Sequence, residues 1–187
     1  EATKKDLLEF SKCKAENVSV VYPGSLSTLP QGNVEAVIHA QSKMPYMLFV
    51  GTIEPRKNIA ALLDSYKAAQ KRLGGTGPRL LLVGGKGFAA EKILSRISEL
   101  GLNESVVHLG VVSESGLRYL YRHEEFVVYP SLYEGFGFPM LEAFAAKKAL
   151  LPSQISSMPE VAGDAALLVD PLSVESLSSG IERLATE

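Results

Sequence analysis

The chain has no tryptophan, one cysteine and three histidines among its 187 residues. Because Cys13 is alone, an internal disulfide is excluded and a reducing compartment is indicated. The histidines have no ligand partners at suitable spacing, so we expect neither a bound metal nor a cofactor. The sequence also lacks a signal-peptide pattern and any apolar run near the roughly 20 residues that span a bilayer. These absences predict a cytoplasmic protein without a transmembrane segment.

The composition is that of an ordinary globular protein. The formal net charge of −2 gives no electrostatic reason to expect binding to nucleic acid. With 46% hydrophobic and 21% charged residues, the 187 residues suffice for one domain, with or without an arm. We interpret residues 1–44 as an N-terminal arm or interdomain linker that contains one helix and one strand, Val18–Tyr22. A loop rich in serine, proline and glycine follows this strand, up to about Asn33.

Residues 45–187 alternate short apolar strands with helices. The segments at 46–50 and 80–83 are apolar at consecutive positions, which is typical of strands buried on both faces. This alternation predicts an α/β fold: a Rossmann-like, doubly wound parallel sheet of about six strands with helices on both faces. The sixth strand is predicted at Ala166–Val169. The carboxyl ends of parallel strands lie at one edge of the sheet, and ligands of such sheets bind there. The loops that follow strands should therefore meet at this edge. These loops are 51–58, 84–87 and 130–138.

The most informative stretch, Tyr129–Ala146, reads YPSLYEGFGFPMLEAFAA and joins a strand to a helix. Its two glycines expose backbone N–H groups, and its proline suits the first turn of a helix. The free N–H groups and the helix dipole favour an anion, typically phosphate. Glu134 and Glu142 cannot bind phosphate, but their carboxylates can accept hydrogen bonds from hydroxyls. Phosphate beside hydroxyls suggests a sugar nucleotide, although each glutamate taken alone could be an ordinary loop or helix residue.

Two further loops carry candidate binding residues. Arg56 and Lys57 are adjacent at the end of the first loop, and a guanidinium beside an ammonium suits a diphosphate. The alternative is a solvated charge pair before a helix, because short motifs of this kind have many false positives. The turn GGKG at 84–87 lacks the ending of a P-loop and matches no dinucleotide fingerprint. We interpret it as a tight turn that can still line the pocket.

Several segments together resemble one known family. In order and spacing, VGTIEPRKN, LLLVGGKG, HLG, YPSLYEGFGFPMLEAFA and SSMPEVAGDAALLVDP resemble the C-terminal, donor-binding domain of retaining glycosyltransferases of the GT-B fold, the glycosyltransferase group 1 family. The resemblance implies a hexosyltransferase that moves a sugar from a nucleotide diphosphate donor to an acceptor. The anomeric configuration of the sugar would be retained, and no metal would be needed. It also implies that an N-terminal acceptor-binding domain is missing, so that this chain alone binds donor without catalysing transfer.

The resemblance assigns roles to individual residues. Arg56 and Lys57 would bind the donor diphosphate and Glu134 would meet the hydroxyls of the donor sugar, which makes these three the expected catalytic set. Glu142 would hold the ribose hydroxyls. The EPRKN form resembles mannosyltransferases, which favours GDP-mannose over UDP-glucose. The remaining expected donor-binding residues are Gly51, Gly85, Val112, Ser113, Gly135, Phe136, Gly137, Phe138 and Leu141.

Some positions depart from the family pattern, and other functions stay open. Lys147 stands where the family has a helix-ending glycine, Ala149 where it has a proline, and Pro152 where it has a small residue. The end of that helix and the next strand could therefore differ from the family. The main alternative is a non-catalytic nucleotide-sugar-binding module, or a subunit that needs a separate acceptor-binding partner. A relic that binds no nucleotide and a different phosphate-ester enzyme are further possibilities.

Overall fold

The computed structural model describes residues 1–24 and 34–187, so most of the loop predicted up to Asn33 lies outside the described residues. The described chain forms an α/β fold around one parallel sheet of five strands, in the order β3-β2-β1-β4-β5. The strands are β1 (Tyr46–Val50), β2 (Arg79–Val83), β3 (Val106–Gly110), β4 (Phe126–Tyr129) and β5 (Ala149–Pro152). The helices are α1 (Ala2–Phe10), α2 (Ala36–Gln41), α3 (Ile59–Arg72), α4 (Ala90–Glu99), α5 (Glu114–His123), α6 (Phe138–Ala145), α7 (Met158–Ala162) and α8 (Val174–Thr186).

Helices cover both faces of the sheet, as the consecutive apolar positions of its strands predict. Successive residues of a strand point to opposite faces, so Phe49 joins one core and Leu48 the other. The first core packs against α3, α4 and α8, and its members include Leu62, Leu82 and Ile181. The second packs against α2, α5 and α6, and its members include Ile38, Leu120 and Met140. The doubly wound arrangement is thereby confirmed.

The prediction of six strands is wrong by one. The segment Ala166–Val169 runs beside β5 and makes backbone hydrogen bonds to it, but only one bridge, between Ser153 and Val169, is formed. The N–H of Val169 donates to the carbonyl of Pro152 at 3.0 Å, and the N–H of Gln154 donates to the carbonyl of Val169 at 2.8 Å. Pro152 has no N–H to continue this ladder. The missing donor accounts for the loss of the sixth strand.

The strand predicted at Val18–Tyr22 is also absent. Within the described residues this segment belongs to no β-ladder, because no neighbouring strand runs beside it. It instead lies near α1, where Lys4 Nζ donates a hydrogen bond to the Val18 carbonyl at 2.6 Å. The residues of 1–44 that the structure describes therefore contain helices α1 and α2 but no strand.

The loops after β1 and β2 approach each other so closely that one glycine is required. Gly84 has a φ of +140°, and a Cβ built on it would lie 2.0 Å from the carbonyl oxygen of Gly51. No side chain fits there, because real Cβ atoms do not approach another atom within 3.0 Å. Ile53 and Lys86 then pair in a single parallel bridge. This contact fixes the position of the loop that leads to Arg56 and Lys57.

Helix α6 ends with a lysine in a conformation that favours glycine. The N–H of Lys148 donates to the carbonyl of Ala143 at 3.0 Å, and that of Lys147 to the carbonyl of Phe144 at 2.9 Å. These are the two hydrogen bonds of a Schellman turn, which places its extra residue in the left-handed region. Lys147 occupies that position with a φ of +60°. The turn forms despite the departure from the family pattern, and β5 begins at Ala149.

We expect Lys147→Gly to raise the free energy of unfolding by about 1 kcal/mol, because a left-handed conformation is costly for a residue with a Cβ. Urea titration of both forms measures the difference. The matched control is Ala146→Gly, since Ala146 has a φ of −82° and glycine there should destabilise the chain. A loss of stability in both variants would contradict this account of Lys147.

Glu124 is a buried carboxyl group at the amino-terminal end of β4, and its side chain is only 1% exposed. Neither of its carboxylate oxygens has a hydrogen-bond partner within the described ranges 1–24 and 34–187. Burial raises the pKa of Glu124 from 4.5 to about 8, and the positive charge of Lys148 only partly opposes this rise. The group is therefore protonated at neutral pH and becomes an uncompensated buried charge in alkaline solution.

The stability of the chain should fall as the pH rises from 4.5 to about 8, because the folded chain holds a proton on Glu124 that the unfolded chain has lost. The expected slope from this group reaches about 1.4 kcal/mol per pH unit. Glu124→Gln keeps a neutral side chain and should flatten that slope, so that the variant is the more stable form near pH 8. Urea unfolding across this pH range measures both profiles, and parallel profiles would contradict the prediction.

Candidate functional site

The candidate site lies at the carboxyl ends of the strands, where the loops after β1 and β4 meet. Arg56 and Lys57 lie on a short 3₁₀ turn, Pro55–Lys57, between β1 and α3. Glu134 lies in the loop between β4 and α6. Backbone and side-chain contacts join these loops: the N–H of Leu132 donates to the Arg56 carbonyl at 2.8 Å, and Asn58 Nδ2 donates to the Pro130 carbonyl at 3.2 Å. The two loops therefore form one unit.

A cluster of ion pairs occupies the centre of this unit. Glu134 Oε1 lies 2.6 Å from Lys57 Nζ, and Glu134 Oε2 lies 3.0 Å from Arg56 Nη1. The other terminal nitrogen of the guanidinium, Arg56 Nη2, pairs with Glu54 Oε1 at 2.7 Å. Lys57 also donates a hydrogen bond to the hydroxyl of Tyr129 at 3.1 Å. We call Glu54, Arg56, Lys57 and Glu134 the charge cluster.

Burial differs between the members of the charge cluster. Lys57 is 7% exposed and Glu134 is 8% exposed, whereas 43% of the Arg56 side chain faces solvent. Burial by itself would raise the pKa of Glu134, but the hydrogen bond and charge of Lys57 outweigh it and lower that pKa below its usual value. Glu134 is therefore ionised at neutral pH. The result is a buried ion pair with one partly exposed cation beside it, open to the crevice.

Two serines after β5 hold the backbone of the Glu134 loop. The Ser156 hydroxyl accepts from the Glu134 N–H at 3.1 Å and lies 2.9 Å from the Glu134 carbonyl. The Ser157 hydroxyl contacts the carbonyls of Glu134 and Phe136 at 2.9 and 3.1 Å. Ser156 has a φ of +59°, an uncommon conformation for serine. Both serines open the segment SSMPEVAGDAALLVDP, which resembles the family, but the sequence alone assigned neither of them a role.

Helix α6 begins directly after the Glu134 loop. Gly137 precedes the helix with a φ of +101°, and a Cβ there would come within 3.0 Å of Met140 Sδ. The helix starts at Phe138, one residue before the proline. The rings of Phe136 and Phe138 are 5.6 Å apart, and Phe138 is 51% exposed. Gly135 is exposed, and its carbonyl accepts a hydrogen bond from Thr3 Oγ1 of α1 at 2.9 Å.

Glu142 is separate from the charge cluster. It lies on α6, next to the half-buried Leu141, and its Oε2 accepts a hydrogen bond from the Tyr121 hydroxyl at 2.7 Å. Burial raises the pKa of Glu142, and the Tyr121 hydrogen bond opposes this rise. None of the ion pairs found in the described residues involves Glu142. The two motif glutamates thus have different surroundings, one among cations and one beside a tyrosine.

The other predicted residues form a row along the same edge. A Cβ on Gly51 would lie 3.3 Å from Lys57 Cε, so Gly51 borders the charge cluster. Gly85 follows β2, and its carbonyl accepts from the Ile53 N–H at 2.9 Å. Val112 and Ser113 follow β3, where the Ser113 hydroxyl caps α5 by accepting from the Gly116 N–H at 3.0 Å. Since the strand order is β3-β2-β1-β4-β5, these loops lie side by side with Glu134.

Within 1–24 and 34–187, no group of three or more histidine, cysteine, aspartate or glutamate side chains is placed to hold a metal ion. None of the helices found there is long and apolar enough to cross a bilayer.

The sequence of the chain matches a known family over most of its length. Residues 32–187 match the family described as glycosyl transferases group 1. The chain belongs to this family. The O-antigen chain mannosyltransferase B of Escherichia coli is 41% identical over 137 residues, which are 73% of this chain and 35% of that protein. This group 1 chain thus spans about a third of the length of that curated relative.

Solved structures show the same fold. WaaG, a glycosyltransferase involved in lipopolysaccharide biosynthesis, matches 98% of this chain and 51% of its own with a TM-score of 0.78 and 17% identity. A C-terminal domain of a glycosyl transferase group 1 family protein from Francisella tularensis matches 84% of this chain and 85% of its own, with a TM-score of 0.68 and 21% identity. The group 1 chain is therefore one α/β unit of a GT-B glycosyltransferase fold.

Proposed function

We propose that this chain is the donor-binding part of a retaining, metal-independent hexosyltransferase that uses a nucleoside diphosphate sugar. The observation that carries the proposal is the charge cluster: two cations, Arg56 and Lys57, pair with Glu134 in the loop that leads into α6. Two adjacent cations suit a diphosphate, and a carboxylate beside them suits sugar hydroxyls. Residues 45–187 form the donor-binding domain, and residues 1–44 form an arm or interdomain linker.

The loops after β3, β2, β1 and β4 lie side by side and offer contacts for the different parts of a sugar nucleotide. Neighbouring strands lie about 4.8 Å apart, so the loops after β3 and β4, which are three strand spacings apart, are separated by about 14 Å. In this arrangement the base lies by Val112 and Ser113, the ribose by Glu142, and the diphosphate by Arg56 and Lys57. The sugar lies by Glu134 and the backbone of Gly135.

Arg56 and Lys57 supply what the reaction needs at the leaving group. Breaking the bond between the sugar and the phosphate leaves negative charge on the diphosphate, and fixed cations stabilise that charge without reorganisation. The two side chains thus supply the positive charge that a metal ion supplies in other enzymes, which supports a metal-independent reaction. The proposal that the sugar keeps its anomeric configuration rests on sequence resemblance: the segments EGFGFP and LEA resemble those of the retaining family.

The name of one relative and the form of one loop support a proposal for the donor sugar. The E. coli relative at 41% identity is a mannosyltransferase by name, and the EPRKN loop has the form familiar from such enzymes. We therefore propose GDP-mannose as the donor and UDP-glucose as the alternative. The acceptor-binding domain would be supplied by the remainder of a longer cytoplasmic enzyme, since this chain spans only 35% of that relative. A non-catalytic binding module that needs a separate partner is the second candidate.

The first test is binding of nucleoside diphosphates by Lys57→Ala. Loss of one charge-assisted contact to a buried phosphate should weaken binding of GDP and UDP by about tenfold or more. Isothermal titration calorimetry measures the dissociation constants. Lys67→Ala, which removes an exposed lysine on α3, is the matched control and should leave them unchanged. Equal affinities in wild type and a folded Lys57→Ala variant would contradict the proposal.

The second test concerns Glu142 and the ribose. If its carboxylate accepts hydrogen bonds from the ribose, GDP should bind about tenfold more tightly than 2′-deoxy-GDP, and Glu142→Ala should abolish that difference. Tyr121→Phe removes the hydroxyl that orients the carboxylate, so it should reduce the difference without abolishing it. A Glu142→Ala variant that still distinguishes the two nucleotides would show that Glu142 does not bind the ribose.

A further inference from the structure

Glu134 pairs with both cations of the site. Its two carboxylate oxygens pair with different cations, Lys57 at 2.6 Å and Arg56 at 3.0 Å. Lys57 and Glu134 are both more than nine-tenths buried. A buried pair of this kind is costly to break, because each group separated from its partner is left as an uncompensated charge. Any anion that enters the site must therefore compete with Glu134 for the two cations.

The position of Glu134 makes it sensitive to the charge of that anion. A phosphoryl group bound to Arg56 and Lys57 would lie within about two contact distances, roughly 6 Å, of the carboxylate. Two negative groups this close in a partly buried site repel each other strongly. The repulsion increases with the charge on the terminal phosphate. It is offset only if the ligand also brings hydrogen-bond donors to the carboxylate.

We propose that Glu134 is a specificity-determining residue that disfavours free nucleoside diphosphate relative to the nucleotide sugar. This inference rests on the proposed function, and it concerns the balance between donor and product at the same site. In the free diphosphate, the terminal phosphate carries additional negative charge and no sugar. In the nucleotide sugar, that phosphate is esterified, and the sugar hydroxyls can donate hydrogen bonds to Glu134. Glu134 therefore stabilises the donor and repels the product.

The consequence is a site that empties after transfer. Once the bond between the sugar and the phosphate has broken, the hydroxyls that satisfied Glu134 leave with the sugar. The carboxylate can then return to Lys57 and Arg56, and its pairing with them displaces the diphosphate. The ion-paired arrangement of Glu134 thus competes with the ligand, and a donor can replace it more easily than the product can.

The test compares GDP with GDP-mannose, and UDP with UDP-glucose, on wild type and Glu134→Gln by titration calorimetry. The amide removes the negative charge and frees both cations, so the free diphosphate should bind about tenfold more tightly to the variant. The same change should weaken the nucleotide sugar by about threefold or more, because a charged acceptor of sugar hydroxyls is lost. The opposite signs of the two effects identify Glu134 as the discriminating group.

Glu54→Gln is the matched control, because Glu54 also pairs with Arg56 but does not contact Lys57. It should change the affinities for the diphosphate and the sugar nucleotide by the same factor. A second measurement uses the β-methyl ester of GDP, which has a less charged terminal phosphate and no sugar. Because the repulsion from Glu134 increases with the charge of that phosphate, Glu134→Gln should improve the binding of GDP more than that of the ester. If Glu134→Gln fails to fold, Glu134→Ala removes the same charge and is compared in its place.

The two possible failures can be told apart. If wild type binds the nucleotides but Glu134→Gln weakens or leaves unchanged its binding of free diphosphate, the role of Glu134 is refuted and the proposed function stands. If removing the Glu134 charge improves the binding of the methyl ester as much as that of GDP, the role is refuted as well. If wild type binds none of these nucleotides, the proposed function is refuted and the role of Glu134 with it.

Discussion

The contact between Lys57 and Glu134 is the interaction on which the site depends. It joins the turn after β1 to the loop after β4, two strands that are neighbours in the sheet. Because both side chains are buried, each would be left as an uncompensated charge without the other. The pairing fixes the direction of both side chains and leaves Arg56 as the partly exposed cation of the site. The contact between the two loops therefore organises the site.

The sheet provides the rigid support for this contact. Buried apolar residues pack on both faces of β1 and β4, and Gly84 allows the close approach of the loops after β1 and β2. The hydroxyls of Ser156 and Ser157 fix the backbone of Glu134 from the loop after β5. Supporting contacts of this type keep a site within the small tolerance that binding requires. The same residues thus determine the fold and the geometry of the site.

The sequence predicted the parts that follow from local chemistry. Consecutive apolar residues identified the buried strands, and loops that follow strands identified the edge where Arg56, Lys57 and Glu134 meet. Three features depend on non-local pairing and could not be derived in this way. Pro152 interrupts the ladder that would have made a sixth strand. Val18–Tyr22 has no strand beside it in the part of the chain that the structure describes. The serines after β5 act through backbone groups remote in sequence. The ion pairs of Glu134 with both cations were also not predicted, because residue spacing gives no information on which charges pair.

The most direct test of the account is a crystal structure of this chain with GDP-mannose or UDP-glucose bound. The account predicts phosphate oxygens within about 3 Å of Lys57 Nζ and the Arg56 guanidinium, with the Glu134 carboxylate turned from the cations to the sugar hydroxyls. A nucleotide bound elsewhere on the chain would contradict it. A nucleotide bound at this edge with the Lys57–Glu134 pair intact and no phosphate contact to Lys57 would contradict it equally.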